Sequence, residues 1–75
     1  MEEKLKKVMA QILKVNAESI NADSSPDTIA SWDSLQHMNL VLGLEQRFGI
    51  SFSEDEIMQM MSYEIIVDLL KEKSL

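Results

Sequence analysis

The side chains best suited to chemistry stand together at Asp33 and Ser34, between a polar stretch and an apolar helical pattern. Ser34 places a hydroxyl at the predicted start of a helix, where free backbone amides and the helix dipole stabilise an anion. A phosphate ester on this hydroxyl would therefore be favourably placed. The alternative is structural, because serine and aspartate are both common N-cap residues and Ser34 could simply cap the helix.

Other kinds of catalytic or metal site find little support in the sequence. The chain has no cysteine, which excludes disulfides and thiolate zinc sites, and His37 is its one histidine. We do not expect His37 to form a hydrolytic triad with Asp33 and Ser34, because adjacent Asp and Ser residues cannot easily lie on opposite sides of one imidazole ring. We expect His37 to be an ordinary surface histidine, with tuning of the charge near Ser34 as the alternative.

The chain is small and acidic. Its 75 residues predict a single domain over residues 1–75, too small for a deep enzyme cleft, and its net charge is −6. Residues 1–15 carry two acids and four lysines, so the acidity lies beyond them. Such a field disfavours nucleic acid and favours a protein partner with a basic surface. Short apolar runs, and charged residues directly after Met1, predict a soluble cytoplasmic protein without membrane contacts. We expect it to be a monomer.

Hydrophobic periodicity predicts an all-α fold, a small bundle of three main helices plus one short helix. Helix I covers about residues 2–15. Residues 16–33 lose the helical period and form a long loop between helices I and II. Within this loop Ile20, Ile29 and Trp32 are the side chains expected to attach it to the core.

Helix II begins at Asp33 or Ser34 and runs to Phe48, with Gly49 placed to end it. Its apolar arc is too wide for one buried face. The half expected in the core consists of Leu40, Val41, Leu44 and Phe48. The other half is a stripe of Leu35, Met38 and Leu42, named the apolar stripe below, and we expect it to be an exposed interaction surface. Gly43 falls on the polar side of this helix.

The last third of the chain predicts two further helices. Residues 53–56 match a capping box and open short helix III, which ends at Met60 or Met61. Ser62 is placed to cap helix IV. The apolar residues of helix IV repeat at helical spacing: Tyr63, Ile66, Leu69 and Leu70.

This order of elements resembles the acyl and peptidyl carrier proteins, which bind phosphopantetheine. The resemblance rests on Asp33-Ser34-Leu35 at a helix start, on the helix ending at residues 44–50 as LEQRFGI, and on the distances onward to helices III and IV. It covers essentially all 75 residues. The three-residue motif alone would be weak, but its position and surroundings make the match specific.

The resemblance implies a role for each matching residue. In this family the serine that matches Ser34 receives 4′-phosphopantetheine from a transferase, and the aspartate that matches Asp33 helps to position the transferase's magnesium. The resemblance assigns partner docking to the apolar stripe. It places Ile57, Met60 and Met61 beside the arm or its cargo, although ordinary core packing is the alternative for these three. The thiol is imported on the arm, and catalysis belongs to the loading and synthase enzymes rather than to this chain.

Two departures from the fatty-acid type bear on the pathway. Trp32 replaces the usual glycine two residues before the serine, where it could pack the loop or contact a partner, and Glu45 is the one acid on helix II. This favours a specialised route, such as polyketide, peptide or surface-glycan synthesis, over fatty acid biosynthesis. An aminoacyl or peptidyl carrier, or an unmodified acidic interaction module, are the alternatives to an acyl carrier.

Overall fold

Four α-helices and one short 3-10 helix form the fold. The structure is a computed structural model and describes residues 2–74. The helices are α1, Glu2–Leu13; α2, Ser34–Phe48; α3, Glu54–Gln59; and α4, Tyr63–Ser74, with the 3-10 helix at Ala17–Ser19. Residues 2–74 contain no strand, so the prediction of an all-α bundle with one short helix is confirmed.

Helix α1 is shorter than predicted because Lys14 ends it. Lys14 adopts the left-handed conformation with φ 59°, and the amide of Val15 donates to the carbonyl of Ala10 over 3.1 Å. This is the closure that glycine usually provides at a helix end, so a lysine gives no sequence signal for it. Gly49 closes α2 in the same way with φ 64°, as predicted.

Helices α1 and α2 pack against each other at Gly43. A Cβ atom on Gly43 would lie 2.5 Å from the Ile12 Cδ1, so the missing side chain lets the two helices approach. The side chain of Gln36 donates from Nε2 to the carbonyl of Ile12 over 3.1 Å, and Lys4 Nζ donates to the carbonyl of Arg47 over 2.8 Å. The prediction that Gly43 lies on a polar face is wrong, because its neighbours belong to helix α1.

All four helices and the long loop contribute to one apolar core. Its fully buried large side chains are Leu5, Met9, Leu13, Ile20, Leu40, Val41, Leu44, Met60, Ile66 and Leu70. Phe48 is only half-buried, with Lys4 Nζ 4.8 Å from the centre of its ring. The core assignment of Phe48 therefore holds in part, since its position at the end of α2 leaves one side of the ring open.

The long loop is held by buried anchors and by its own hydrogen bonds. Ile20, Ile29 and Trp32 are buried, as predicted. Ser24 is also buried, and its carbonyl accepts a hydrogen bond of 2.9 Å from the amide of Tyr63 at the start of α4. The loop therefore reaches Asp33 along a fixed path, which determines where α2 begins.

The helix starts after α2 follow the predicted capping pattern. Ser53 and Glu56 form the full capping box of α3, and Ser62 Oγ accepts from the amide of Ile65 in the first turn of α4. Glu56 also pairs with Lys73 of α4 over 2.8 Å, and this hydrogen bond lowers the pKa of the Glu56 carboxyl. The first turn of the short helix α3 is thus attached to the last turn of α4.

Tyr63 joins the start of α4 to the start of α1. Its ring is buried, and its hydroxyl donates to Glu2 Oε1 over 3.0 Å. Burial, followed by this contact with a carboxylate, raises the pKa of Tyr63 to about 12. The phenol therefore stays protonated at neutral pH and remains a hydrogen-bond donor.

Candidate functional site

Asp33 caps helix α2, and this leaves the hydroxyl of Ser34 free of that task. Asp33 has an extended backbone, and its Oδ1 accepts a hydrogen bond of 2.9 Å from the amide of Gln36. Ser34 is the first residue of the helix, and its side chain is exposed. The structural alternative, in which Ser34 is the cap, is therefore wrong. The exposed hydroxyl lies at the positive end of a 15-residue helix, where an anion is stabilised.

A groove opens beside this hydroxyl. It has a volume of about 450 Å³ and lies between the end of the long loop, the first turns of α2 and the residue that follows the C-cap of α3. Its lining consists of Pro26, Trp32, Asp33, Ser34, His37, Met38 and Met61. We call it the Ser34 groove. A flexible chain attached to the Ser34 oxygen has this apolar channel directly beside it.

His37 is buried on the wall of the groove, so the expectation of a surface histidine is wrong. Its side chain is 7% exposed and that of Trp32 is 2% exposed. The Trp32 indole donates from Nε1 to His37 Nδ1 over 3.0 Å, and His37 Nε2 lies 2.9 Å from the carbonyl oxygen of Ile57. Because an indole only donates and a carbonyl only accepts, the imidazole is neutral with its proton on Nε2.

The Trp32–His37 pair has a sequence signal that the analysis of helix periodicity missed. With Asp33 as the cap, Trp32 is the residue before the cap and His37 is the fourth residue of the helix. These are the two positions of the hydrophobic staple, whose side chains pack together and set the angle at which the chain enters a helix. The rings stack with centroids 6.2 Å apart. Packing in the loop thus accounts for Trp32, the first of the two alternatives considered for it.

The three residues predicted to flank the arm occupy different environments. Met61 lines the Ser34 groove and is about half exposed. Met60 is fully buried in the core. Ile57 packs partly against the core and offers its carbonyl to His37. Of the three, only Met61 lines the groove. Met60 is a core residue, which is the alternative given for it in the sequence analysis.

The apolar stripe on α2 is exposed, as predicted. Leu35 is 72% exposed, Met38 is 45% exposed and Leu42 is 54% exposed, whereas Leu40, Val41 and Leu44 of the same helix are buried. The helix therefore has two apolar faces, of which one forms the core and the other faces solvent. Met38 belongs both to the stripe and to the Ser34 groove, so the two features adjoin.

The acids near Ser34 are engaged in the fold. Asp33 caps α2, and Glu45 Oε2 accepts a hydrogen bond of 2.9 Å from the amide of Phe52. These are the two acids between positions 28 and 53. Helix α2 therefore presents few carboxylates to a partner.

Residues 2–74 contain no group of three or more His, Cys, Asp or Glu side chains arranged to hold a metal ion. No helix within the same residues combines the length and the apolar character needed to cross a bilayer.

Comparison with known proteins identifies the family. The family model described as "Phosphopantetheine attachment site" matches residues 3–70. The acyl carrier protein of Petrotoga mobilis is 30% identical over 71 residues, covering 95% of this chain and 84% of the relative, and that of Nitratidesulfovibrio vulgaris is 27% identical over 73 residues, covering 97% and 96%. The solution structure of holo acyl carrier protein from Geobacter metallireducens has a TM-score of 0.86 and 28% identity, covering 96% of this chain and 83% of that one. The fold match covers nearly the whole chain, and the family model spans most of it. The chain therefore belongs to the family of phosphopantetheine-binding carrier proteins.

Proposed function

We propose that the protein carries acyl intermediates as thioesters on a 4′-phosphopantetheine arm attached to the oxygen of Ser34. The observation that carries this proposal is the position of Ser34, exposed as the first residue of α2 and released from capping by Asp33. The Ser34 groove supports it, because a groove of about 450 Å³ offers the arm a surface to lie on. The hydroxyl, the helix end and the groove together fit such an arm.

The residues around Ser34 suit the attachment reaction. A transferase would join the Ser34 oxygen to the phosphoryl group of coenzyme A, with loss of the hydroxyl proton and departure of the adenosine bisphosphate. The phosphodiester formed in this way would be held at Ser34, where the positive end of α2 favours an anion. Asp33 uses one carboxylate oxygen for the cap, so the other oxygen is available to the transferase's magnesium. The arm supplies the thiol that this cysteine-free chain lacks.

The apolar stripe is the surface that we propose for docking of the transferase and of the loading and synthase enzymes. Its three side chains are exposed in a monomer and adjoin the groove at Met38. A partner that covers the stripe would hold its active site close to the arm. Burial of apolar area would supply most of this affinity, because α2 offers few charges.

We further propose that the pathway is a specialised one in the cytoplasm rather than housekeeping fatty acid synthesis. The support for this is the charge of α2, whose one acid, Glu45, is engaged with Phe52. A partner that recognises its carrier through basic residues finds little to pair with on this helix. The loading enzyme chooses the cargo, so an aminoacyl group would use the same site.

A loading experiment tests the proposal. The unmodified protein is incubated with a promiscuous phosphopantetheinyl transferase and octanoyl-coenzyme A, and intact masses are recorded before and after treatment with hydroxylamine. We expect the protein to gain the octanoyl arm and to lose only the octanoyl group to hydroxylamine, as a thioester does. Ser34→Ala should gain nothing, and the matched control Ser51→Ala, which removes another exposed hydroxyl, should behave as the wild type. An unmodified wild type would favour the interaction module instead.

A further inference from the structure

The two hydrogen bonds of the His37 ring connect three elements. Through Nδ1 the ring holds Trp32 at the end of the long loop, through Nε2 it holds the carbonyl of Ile57 in α3, and its own backbone belongs to α2. We call this arrangement the His37 bridge. Through this side chain, α3 is held in a fixed position relative to the start of α2.

The bridge is buried and complete. Trp32 and His37 are almost fully buried, and both ring nitrogens have a partner of matching polarity. If the ring turned away, the buried indole N–H would lose its partner, and the carbonyl of Ile57 would keep only the hydrogen bond of 3.3 Å from the amide of Met60. A buried polar group without a partner is costly, so the closed arrangement is favoured over an open one.

The bridge lies between the Ser34 groove and the core. His37 lines the groove on one side, and three residues after Ile57 the chain reaches Met60, which is fully buried and belongs to the same core cluster as Leu40 and Leu44. An apolar chain that moved from the groove into the core between α2 and α3 would have to part the bond from His37 to Ile57. The hydrogen bond between His37 and Ile57 therefore closes the direct path from the groove into the bundle.

We propose that the His37 bridge holds α3 against α2 and so keeps an acyl chain on the arm in the Ser34 groove, outside the core between the helices. His37 is in this sense a positioning residue for the cargo. The cargo part of this inference rests on the proposed function, while the bridge itself exists in the unmodified protein. A carrier of this kind presents its cargo to partner enzymes without first withdrawing it from the core.

The bridge is tested first on the unmodified protein by nitrogen NMR of the His37 ring and hydrogen exchange of the Trp32 indole. We expect a neutral ring protonated on Nε2 and a slowly exchanging indole N–H, with exchange about tenfold faster or more in His37→Ala. A ring protonated on Nδ1, or an indole that exchanges as a free one does, would overturn the bridge. If His37→Ala does not fold, His37→Phe replaces it with the same expected result, since a phenyl ring fills a similar space but cannot accept from the Trp32 indole.

The position of the cargo is tested on the protein loaded with octanoyl arm. Hydroxylamine should cleave the wild-type thioester at about the rate of octanoyl-pantetheine free in solution, within a factor of about two, as expected when the exposed state dominates. In His37→Ala, cleavage should be about fivefold slower, which corresponds to a thioester buried in roughly four molecules of five. Asn39→Ala, an exposed change on the same helix, is the control and should match the wild type.

Each outcome of the loading test decides one part of the proposal. A wild-type thioester protected about fivefold would show that the chain enters the core past an intact bridge, and would overturn the proposal. Equal cleavage in wild type and His37→Ala would overturn the role of His37. Failure of Ser34 to accept any arm would contradict the proposed function and the cargo role with it, while the NMR result would still decide whether the bridge exists.

Discussion

At the scale of single residues, the division of labour between Asp33 and Ser34 is the feature on which the function depends. The sequence allows either residue to cap α2, and only the backbone distinguishes them, because Asp33 is extended and Ser34 is helical. His37 shows where residue-level prediction fails. Its neighbours in sequence are mostly exposed, and its partners Trp32 and Ile57 lie five residues before it and 20 residues after it. The contact with Trp32 has a local signal in the staple positions, but nothing local to His37 indicates the contact with Ile57, which is 20 residues away.

The assignment of the cap predicts different stabilities for two alanine variants. Asp33→Ala should lower the free energy of unfolding by about 1 kcal/mol, because the amide of Gln36 loses its acceptor. Ser34→Ala should change it by less than about 0.5 kcal/mol, as for an exposed residue without a capping role. Urea denaturation at neutral pH measures both. A larger loss in Ser34→Ala than in Asp33→Ala would contradict the assignment.

At the scale of helices, sequence periodicity predicts elements and faces well but their ends and mutual contacts poorly. The caps of α3 and α4 and the two apolar faces of α2 are confirmed because each depends on residues within one or two turns. The end of α1 at Lys14 and the contact of Gly43 with Ile12 are not predicted. Both depend on how one helix meets the rest of the molecule.

The two faces of α2 predict opposite effects for two neighbouring leucines. Leu44→Ala should cost about 2–5 kcal/mol of stability, because Leu44 is fully buried. Leu42→Ala should cost much less, since Leu42 is exposed, but should slow transfer to a cognate enzyme if the apolar stripe is the docking surface. Thermal melts and transfer rates separate the two effects. Equal destabilisation would mean that the stripe belongs to the core.

Half-burial of Phe48 predicts an intermediate cost for its removal. Replacing a fully buried phenylalanine by alanine costs about 3–5 kcal/mol of stability. Phe48→Ala should cost less, because part of the ring is exposed to water in the folded state. It also loses the contact with Lys4. Urea denaturation beside Leu44→Ala gives the comparison. A loss greater than that of Leu44→Ala would contradict the observed burial.

The approach of α1 and α2 at Gly43 predicts coupling between Gly43 and Ile12. Alanine is favoured over glycine inside a helix by about 1 kcal/mol, but in the wild type its Cβ would meet the Ile12 Cδ1. Ile12→Val removes that methyl group. Gly43→Ala should therefore be more stabilising in the Ile12→Val background than in the wild type, as a double-mutant cycle of unfolding free energies would show. Additive effects would mean that the helices are not in contact here.

At the scale of the whole molecule, charge distribution separates this chain from a carrier with an acidic docking helix. The net charge is −6, yet the carboxylates of α2 and its cap are engaged, and the first turn of α3 holds Glu54, Asp55 and Glu56 instead. The family and fold were predicted from the order of the elements and the motif at Ser34, and the comparisons confirm both. The pathway was not fixed by the same signals, because the cargo is chosen by other proteins.

This charge distribution predicts weak recognition by enzymes of fatty acid synthesis. The protein with the arm attached should be a poor substrate for a ketosynthase that binds acidic carriers, with slow association and weak dependence on salt. Asn39→Asp and Gln46→Glu together should improve it, and Gln36 is left unchanged because its side chain donates to the carbonyl of Ile12. Elongation rates at two salt concentrations are the measurement. Turnover equal to that of the enzymes' own carrier would assign the protein to the housekeeping class.

The central claim, that Ser34 is the one attachment site, is tested most directly by locating the added group. The protein is incubated with a promiscuous transferase and coenzyme A, digested, and sequenced by tandem mass spectrometry. We expect one phosphopantetheine per chain, all of it on the peptide that contains Ser34, and none on any peptide of Ser34→Ala. Modification at another serine, or a wild-type chain that remains unmodified under conditions that convert a known carrier, would contradict it.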